Sequence, residues 1–460
     1  MAQKFFHHAL KIDKDICIGC THCMTVCPTE ALRVINGKAE LLDNRCVDCG
    51  ECFRACPVSA IRIEEDDFQN IFDYKHRIAL FPSVLISQFP EGLPPEQIYS
   101  TLLEVGFTDI FEVEHTADIL KEEANKYLKE HKDSKPLIST FCPAIVRLIQ
   151  VKFPSLTNHL MLLKPPFDTA AMYYRKQLID QGIDEEDIGI FYITPCAAKI
   201  AAVKSPVGEK SHLINGVINM DSIYNKLLKR IKSNKDNTCR VPVKNNLSDV
   251  GVLWSLTKGE SENVGRRSLA IDGIQNVIEF LEKMENEEMP DIDFLELRAC
   301  DESCAGGVLN VNNRFLTVEK MEERAEQLKS KKKEEDDDNP MNAYQNFILE
   351  NMGLEPVKPR SIDKLDEDMT KAMQKMQKRT KILEQLPGFD CGACGAPSCS
   401  ALAEDIVNGK ASQDSCIFIQ ALKAYLNIDE QEKAIQMLER IWGKNRIDIN
   451  LDNLNGNESK

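Results

Sequence analysis

Cysteine is the residue type whose spacing most clearly predicts chemistry in this chain. Two runs near the amino terminus are "CIGCTHCMTVCP" and "CVDCGECFRACP". In each run, two residues separate the first three cysteines from one another, and a fourth cysteine stands directly before proline. In this pattern three thiolates of a run bind one [4Fe–4S] cluster, and the fourth ligates the other cluster. Zinc would instead require paired CxxC units and would leave the third cysteine and the proline unexplained. The predicted ligand sets are Cys17, Cys20, Cys23 and Cys56 for one cluster, and Cys46, Cys49, Cys52 and Cys27 for the other.

A third cysteine group lies near the carboxyl end, in "CGACGAPSCSALAEDIVNGKASQDSC". Its glycines allow the backbone to turn tightly around a cluster, and "SALAEDIVNGKA" predicts a helix that leads to the last cysteine. An all-thiolate set also suits zinc, so a zinc knuckle is the alternative. We predict a further [4Fe–4S] cluster held by Cys391, Cys394, Cys399 and Cys416.

Five other cysteines are scattered along the chain, and a lone cysteine is more often a small core residue than a ligand. Four of them nevertheless follow strand-like segments: Cys142 follows "PLISTF", Cys196 follows "IGIFYIT", and Cys300 and Cys304 follow "DFLELRA". We therefore predict that these four thiolates converge on one cubane cluster. Cys239, in the polar segment "KDNTCRVPV", is predicted not to be a ligand.

The elements that must position these cysteines alternate between strands and helices over residues 75–310. The predicted strands are "RIALFPSVLI", "DIFEV", "PLISTF", "IGIFYIT", "VGVLWSL" and "DFLELRA", and the predicted helices include "ADILKEEANKYLKEH", "TAAMYYRKQLIDQ", "MDSIYNKLLKRIK" and "GIQNVIEFLEKMENE". Such alternation indicates an α/β fold with parallel sheets. Ligand sites in these folds form at the carboxyl ends of strands, which is where the scattered cysteines lie.

Composition restricts the possible functions. The chain has 460 residues and a net charge of -16, which argues against a nucleic-acid partner. It contains no apolar run long enough to span a membrane, no apolar signal-peptide core and no GxGxxG or GxxxxGK[ST] nucleotide motif. Its 17 cysteines suit metal sites in a reducing compartment, so we expect a cytoplasmic protein.

We predict four segments along the chain. They are a ferredoxin-like dicluster domain at 1–72, a cluster-binding α/β domain at 73–355, a helical linker with a [4Fe–4S] domain at 356–425, and a helix and tail at 426–460. The charge run "EERAEQLKSKKKEEDDDNP" is predicted to be a solvated helix end or linker.

Three parts of the sequence resemble known families. Residues 12–64 are similar to bacterial two-cluster ferredoxins, and the carboxy-terminal cysteines resemble the small [4Fe–4S] domain of corrinoid iron–sulfur proteins. "STFCPAI", "TPCAAK" and "ELRACDESCAGG" resemble, in order, the three motifs TSCCPxW, MPCxxK and ExMACxxGCxxGG of [FeFe]-hydrogenases. The resemblance implies a two-lobed hydrogenase-type domain with parallel sheets, between a ferredoxin-like α+β domain and a small helical iron–sulfur domain.

The hydrogenase resemblance also implies roles for individual residues. Cys142, Cys196, Cys300 and Cys304 would hold a [4Fe–4S] cubane, and Cys304 would also bridge to a two-iron subcluster carrying CO, CN and a dithiolate bridge. Lys199 would donate a hydrogen bond to a cyanide, and an anionic partner makes sense for a buried lysine. Glu296 stands at the family's glutamate position.

Departures from the family pattern are concentrated around this site. Phe141 stands where catalytic members carry a proton-relay cysteine, and a phenyl ring neither donates nor accepts a proton. Thr194 and Arg298 replace two methionines that pack beside the two-iron unit in the family, which should change the polarity and potential of the site. Asp301 and Glu302 replace the usual Pro-Gly pair. Loss of the relay predicts slower turnover, by something of the order of 10²–10⁴-fold.

Outer relay acids are the other feature expected near the first motif. Glu122 and Glu123 lie roughly where the family keeps them, but the spacing differs by about one residue. A solvated helix face is therefore the favoured interpretation of this pair.

Three functions remain open at this point. The first is a slow hydrogenase-type enzyme in a sensory or regulatory role, as in divergent sensory branches of the family. Because no segment has room for a PAS-like domain, its output would need a signalling partner. The second is a metabolic hydrogenase linked to ferredoxin, and the third is a non-catalytic electron-transfer or assembly protein without the two-iron unit. The implied partners are H2 and protons, a ferredoxin-like redox protein and maturation proteins.

Overall fold

The structure is a computed structural model that describes residues 6–209, 211–233, 247–286, 291–331, 339, 341–360, 366, 368–425, 436 and 440–441. The chain divides into two compact units that do not follow sequence order. One contains Met1–Ala9, Val47–Gly50 and Glu64–Arg360, and the other contains Leu10–Cys46, Glu51–Ile63 and Ser361–Lys460. The four segments predicted from sequence remain a prediction.

The amino-terminal part of the second unit is built from short elements. Strand β1 (Leu10–Ile12) pairs antiparallel with β4 (Ile61–Ile63), and β2 (Leu32–Ile35) pairs antiparallel with β3 (Lys38–Leu41). Helices α1 (His22–Thr25) and α2 (Glu51–Ala55) carry central cysteines of the two runs. The β2–β3 hairpin turns at Asn36-Gly37, where both residues have positive φ, as a two-residue hairpin requires.

The first unit contains two sheets in which every strand pair is parallel. The four-stranded sheet has the order β6-β5-β8-β9 and the three-stranded sheet has the order β10-β11-β7. The strands are β5 (His76–Phe81), β6 (Asp109–Glu112), β7 (Leu137–Ile138), β8 (Ile188–Thr194), β9 (Gly216–Asn219), β10 (Ser268–Ile271) and β11 (Phe294–Leu297). The predicted α/β class with parallel sheets is confirmed.

Ten helices of the first unit lie within the described residues. They are α3 (Pro95–Glu104), α4 (Ala117–Glu130), α5 (Pro143–Lys152), α6 (Pro166–Asp180), α7 (Ala197–Lys204), α8 (Met220–Ser233), α9 (Asp249–Leu253), α10 (Ile274–Glu285), α11 (Arg314–Lys331) and α12 (Gln345–Asn351). The four helices named from sequence for this region are confirmed as α4, α6, α8 and α10. Within the described ranges, no helix is both long and apolar enough to cross a bilayer.

One predicted strand is wrong. "VGVLWSL" begins inside helix α9, where the Ser248 hydroxyl caps the helix by accepting a hydrogen bond from the Gly251 backbone N–H at 2.9 Å. Val252 and Trp254 are both buried. In a short run that is apolar throughout, the spacing of apolar residues does not distinguish a strand from a helix. The strand predicted from "PLISTF" is confirmed but short, since only Leu137–Ile138 pairs with β11.

The carboxy-terminal part of the second unit is helical, with α13 (Met369–Leu383), α14 (Cys399–Val407) and α15 (Ile417–Tyr425). It packs on the β2–β3 region of the same unit. The Val34 backbone N–H donates to the Gly395 carbonyl at 2.9 Å, and Arg33 forms an ion pair of 2.6 Å with Asp405. Cys239, residues 332–338 and 340 of the charge run and nearly all of the predicted tail lie outside the described residues. The first part of the charge run, residues 322–331, forms the end of helix α11.

Candidate functional site

The four scattered cysteines lie at the carboxyl ends of strands, but the strands belong to two sheets rather than one. Cys142 comes after β7 and precedes α5, and Cys300 and Cys304 come after β11 of the same sheet. Cys196 comes after β8 of the other sheet and precedes α7. Burial and the neighbouring Cys304 and Cys142 raise the pKa of Cys196 to about 11, because a thiolate there is desolvated and faces other thiols. The structure therefore brings cysteines from both sheets together.

Glycines allow the loops from the two sheets to pack closely. A Cβ atom on Gly307 would lie 2.6 Å from the Pro195 carbonyl oxygen, and one on Gly306 would lie 1.8 Å from the Asp301 carbonyl oxygen. The Leu309 backbone N–H donates to the Pro195 carbonyl at 2.9 Å, which ties the "TPC" loop to the "CAGG" loop. A larger residue at Gly307 would push the two cysteine-bearing loops apart, and one at Gly306 would distort the loop that carries Cys300 and Cys304.

Lys199 is the buried cation of the site. It lies on α7, its exposed fraction is 3%, and its Nζ lies 3.5 Å from the Sγ of Cys304. Burial opposes its charge, but the negative charge of Cys304 and other neighbours raises its pKa well above the ordinary value. In the part of the chain that the structure describes, no carboxylate forms an ion pair with Lys199. A buried ammonium without an ion-pair partner suits an anionic group.

Phe141 lies between two cations. The guanidinium carbon of Arg298 is 3.6 Å from the centre of the Phe141 ring, and Lys199 Nζ is 4.9 Å from it. Arg298 Nη2 donates to Glu260 at 2.8 Å, and its Nε is 3.4 Å from Glu296. Its Nη1 is buried without a hydrogen-bond partner among the described residues. Phe141 thus packs against charged groups that the apolar ring attracts through cation–π contacts.

Two carboxylates hold Arg298 in place. Glu296 is fully buried and accepts backbone N–H bonds from Lys258, Glu260 and Ser261 at 3.1, 3.0 and 2.7 Å. Burial and the charge of Glu296 raise the pKa of Glu260 to about 7, although Arg298 opposes the shift. Because two carboxylates share one guanidinium, one of them can hold a proton near neutral pH.

Ser139 links this charged group to the first motif. Its hydroxyl donates to Glu260 at 2.7 Å and accepts the Phe141 backbone N–H at 3.1 Å. Sequence reasoning named Glu296 but missed Glu260 and Ser139. Glu260 lies in "TKGESENVG", which carries no pattern that could have identified it.

Thr194 ends strand β8, directly before the loop of Cys196, and Glu122 and Glu123 lie on helix α4. The Thr194 hydroxyl lies 3.3 Å from the Cys196 backbone N–H, which it accepts, and 3.2 Å from the Cys196 carbonyl, so it stabilises the cysteine loop. Glu122 is exposed, and Glu123 forms an ion pair of 3.1 Å with Lys126 on the face of α4. This geometry supports the solvated-face interpretation of the two acids.

The donor set fits the groups that the resemblance implies. Four cysteines suit a cubane, and several buried donors suit an anionic ligand beside it. Tyr192 is fully buried, its hydroxyl has no hydrogen-bond partner among the described residues, and its ring centre lies 6.0 Å from Lys199 Nζ. Together with Lys199 and Arg298 Nη1, it leaves three buried donors that an anion could satisfy.

The first ferredoxin-like ligand set also comes together. Burial, followed by the charges of Cys17, Cys20 and Cys56, raises the pKa of Cys23 to about 12, so these thiols are neighbours. Backbone N–H groups point at the sulfurs: Ala39 donates to Cys17 at 3.3 Å and Ala60 to Cys56 at 3.2 Å. Such bonds stabilise thiolates and tune the potential of a cluster.

The second ferredoxin-like set is less clear from the fold. Cys46, Cys52 and Cys27 belong to the second compact unit, whereas Cys49 belongs to the first. The Ala31 N–H donates to the Cys27 sulfur at 3.2 Å, as expected for a thiolate ligand. Convergence of this set remains a prediction.

The carboxy-terminal cysteines form a compact group. Burial, with smaller contributions from Cys391 and Cys416, raises the pKa of Cys394 to about 11. Cys399 begins α14, and its backbone N–H donates to the Asp390 carboxylate at 2.6 Å. Cys399 and Cys416 are buried in one apolar cluster with Leu402. Four thiols so arranged could hold a cubane.

Three family models match separate parts of the chain. The family model for "Iron only hydrogenase large subunit, C-terminal domain" matches residues 80–268, a 4Fe-4S dicluster domain matches residues 9–69, and the FeS model for Fe-S cluster domains matches residues 386–418. A curated protein, Iron hydrogenase 1 of Clostridium pasteurianum, is 26% identical over 258 residues, which is 52% of this chain and 42% of that protein. The chain thus spans less than half the length of this relative.

Other similarities are local or distant. The corrinoid/iron-sulfur protein large subunit of Moorella thermoacetica is 49% identical over 39 residues, which is 8% of this chain and 9% of that protein. An [FeFe]-hydrogenase structure from Chlamydomonas reinhardtii has a TM-score of 0.47 and 14% identity, and the match covers 62% of this chain and 94% of that chain. That structural likeness is too remote to say anything about activity. The family models and the curated relative, together with the cysteine motifs, make this chain an [FeFe]-hydrogenase-like iron–sulfur protein.

Proposed function

We propose that this protein cleaves and forms H2 slowly at a hydrogenase-type H-cluster, in a sensory or regulatory role. The observation that carries the proposal is Lys199, a buried ammonium 3.5 Å from Cys304 that forms no ion pair within the described residues. Such a cation is costly unless an anionic group lies beside it. Phe141, which lies 4.9 Å from the same ammonium, supports the slow rate because it cannot relay protons.

The proposed cofactors are four [4Fe–4S] clusters and one two-iron subcluster with CO, CN and a dithiolate bridge. Cys142, Cys196, Cys300 and Cys304 would hold the cubane of the H-cluster, and Cys304 would bridge it to the two-iron unit. When bound, the two-iron unit supplies the open coordination position at which H2 is cleaved heterolytically. If all sites fill, the chain binds about 18 iron atoms.

The side chains around the site would each contribute a distinct function. Lys199 would donate a hydrogen bond to a cyanide ligand, and Phe141 would exclude water from the position of the missing relay. The buried charge of Arg298 would raise the potential of the cubane, because a nearby cation favours the reduced, more negative cluster. Thr194 would hold the loop of Cys196 rather than touch the ligands of the two-iron unit.

Electrons would leave through the iron–sulfur domains. The carboxy-terminal domain packs against the ferredoxin-like region of its own unit, since a Cβ atom on Gly392 would lie 3.1 Å from the Cε of Met24. Met24 stands directly after Cys23, a predicted ligand of the first cluster. The carboxy-terminal cluster would therefore exchange electrons with the first cluster, and a ferredoxin-like redox protein or a signalling partner would dock there.

Two other functions compete with this proposal. A metabolic hydrogenase would use the same clusters, but Phe141 and the buried positive charge of Arg298 argue against fast turnover. A non-catalytic electron-transfer or assembly protein would need no two-iron unit, but the buried donors of Lys199, Arg298 and Tyr192 would then lack a purpose. The proposal also holds that dedicated maturation proteins assemble the two-iron unit. It further holds that the protein is sensitive to oxygen and lies in the cytoplasm.

Infrared spectroscopy of the matured protein tests the proposal most directly. CO and CN stretching bands are expected, and a protein that acquires all its cubanes without these bands would be the non-catalytic alternative. An H2-oxidation assay then separates the two enzymatic functions. Slow turnover supports the regulatory role, whereas turnover as fast as that of metabolic hydrogenases would contradict it.

A further inference from the structure

A group of buried carboxylates lies at the carboxyl end of the four-stranded sheet that also leads to Cys196, close enough to Lys199 for the charges of Glu114 and Lys199 to interact. Glu112 ends strand β6 and Glu114 follows two residues later, and their exposed fractions are 4% and 1%. Ser83, which is fully buried, follows the neighbouring strand β5, whose Phe81 is paired with Glu112 in the sheet register. The parallel pairing therefore brings all three side chains to the same edge of the sheet, where ligand sites form in α/β folds.

Ser83 connects the two carboxylates. Its backbone N–H donates to Glu114 at 2.8 Å, its hydroxyl donates to Glu112 at 2.7 Å, and the same hydroxyl oxygen is 3.3 Å from Glu114. A hydroxyl has one donor and two acceptor positions, so it can accept a proton from one carboxyl group while it donates its own to the other.

Arg324 and Tyr99 hold Glu112 in its charged form. The Arg324 guanidinium donates to both carboxylate oxygens of Glu112, at 2.9 and 2.6 Å, and the Tyr99 hydroxyl donates to one of them. Burial opposes ionisation, but the charge and hydrogen bonds of Arg324 outweigh it and lower the pKa of Glu112 to about 2. Arg324 is one-tenth exposed, so this end of the group approaches solvent.

The pKa of Glu114 shifts in the opposite direction to that of Glu112. Burial and the negative charge of Glu112 raise its pKa to about 7, against the opposing charge of Lys199. The titratable groups near it come from four elements: Glu112 at the end of β6, Lys199 on α7 and Arg324 on α11 are charged, and Tyr192 on β8 is neutral because burial raises its pKa. A carboxyl group so placed can both accept and release a proton at neutral pH.

We propose that Glu114 is the internal proton carrier of this protein and takes the place of the relay that Phe141 has replaced. The proposal rests on the proposed function. H2 oxidation yields two protons and two electrons: each proton in turn would bind the Glu114 carboxylate and form its O–H bond, while the electrons would leave one at a time through the cubane. Glu114 then gives that proton to Ser83, whose hydroxyl proton passes to Glu112. Glu112 releases it to water at the Arg324 end, and H2 formation runs the same steps in reverse.

The matched variants are Glu114→Gln, which keeps the length of the side chain but cannot carry a proton, and Glu114→Asp, which keeps a carboxyl group. In matured protein we expect Glu114→Gln to lower H2 oxidation by about 10²-fold and Glu114→Asp to retain more of the rate. A purely structural role predicts the reverse order, because aspartate changes the geometry more than glutamine does. Glu122→Gln, at an exposed glutamate, is the control and should leave the rate unchanged.

A second readout does not depend on turnover. In protein that carries its cubanes but no two-iron unit, the infrared difference spectrum between wild type and Glu114→Gln should contain a protonated-carboxyl band that titrates near pH 7, because the similar band of Glu260 is common to both proteins and cancels. A difference spectrum without this band would overturn the proposal. If the wild type oxidises H2 and Glu114→Gln oxidises it equally fast, the carrier role fails while the proposed function stands. If the wild type shows neither CO and CN bands nor turnover, both fail.

Discussion

The guanidinium of Arg298 stacks 3.6 Å from the centre of the Phe141 ring, inside the site where the scattered cysteines meet. Both residues depart from the family pattern, and the structure places them in direct contact. An aromatic ring attracts a desolvated cation, and such contacts contribute about 2 kcal/mol when both partners are buried. The two departures therefore stabilise each other, which neither substitution suggests by itself.

The first prediction concerns this contact. Phe141→Leu removes the ring that faces Arg298 and Lys199, and it also leaves a small cavity. We expect it to destabilise the protein by about 2–3 kcal/mol, measured as a lower Tm in thermal unfolding. Phe153→Leu is the matched control, because Phe153 is equally buried and its nearest cation lies farther away, 5.6 Å from the ring. An equal loss in both variants would show that the cation contacts contribute nothing measurable.

The second prediction concerns Lys199. Replacing it with Met keeps the length of the side chain but removes the ammonium that would bind an anionic ligand. We expect Lys199→Met to retain its cubanes, seen by electron paramagnetic resonance, and to lose most of the infrared intensity of CO and CN.

Lys204→Met provides the control for Lys199. Lys204 lies on the same helix, α7, and forms an ion pair of 2.5 Å with Asp66. The Lys204→Met variant should keep the full infrared intensity of the CO and CN bands. Bands of unchanged strength in Lys199→Met would mean that the ammonium does not hold the two-iron unit.

The third prediction concerns pH and Glu260. Its pKa rises from 4.5 to about 7 on folding, so the folded state binds more protons than the unfolded state between these values. The stabilisation from this proton is fully present below about pH 4.5 and is lost as the pH rises through about 7. Glu260→Gln removes this dependence. We expect it to gain stability relative to wild type between pH 5 and pH 8, by about 3 kcal/mol at most.

Thermal unfolding at several pH values measures the Glu260 effect. The pKa of Glu114 is raised as well, so the Glu260→Gln variant should still lose some stability with rising pH. The quantity to compare is the difference between Glu260→Gln and wild type at each pH. A constant difference from pH 5 to pH 8 would show that Glu260 is ionised throughout.

The fourth prediction concerns how the carboxy-terminal domain is held in its unit. Arg33 and Arg45 are buried and form ion pairs with Asp405 and Glu404 of α14. Breaking a buried pair on one side leaves an uncompensated charge, so Arg33→Ala should cost about 3–5 kcal/mol. The double variant Arg33→Ala/Asp405→Ala should recover part of that loss, because it leaves no charge unpaired.

Limited proteolysis gives an independent measure of the same contact. Arg33→Ala should expose the region around residues 386–416 to cleavage more rapidly than the wild type. Arg62→Ala is the control, since Arg62 is exposed and its pairing with Asp13 is a surface ion pair. Equal cleavage in the two variants would mean that apolar packing and the Val34–Gly395 bond hold the domain without the ion pairs.

Local spacing in the sequence determined the iron–sulfur chemistry. Cysteines with two to four residues between them can supply several ligands of one cluster, so both amino-terminal runs and the first three cysteines of the carboxy-terminal group could be recognised directly. Strand and helix periodicity likewise predicted the parallel α/β class, because one buried face repeats at a fixed interval. The strand predicted for "VGVLWSL" was wrong, because a segment that is buried on all sides shows no regular spacing of apolar and polar residues.

Only the tertiary structure decided which distant residues meet at the site. Cys196 reaches Cys142 and Cys304 from a different sheet, and Arg298 finds Phe141 and Glu260 through packing between loops that are far apart in sequence. Glu114 shows the same limit: "EVEH" predicts only the end of a strand, and its carboxyl group becomes a candidate proton carrier because the fold buries it against Ser83, near Glu112 and the charge of Lys199. Desolvation and neighbouring charges set its protonation, and both are properties of the folded chain.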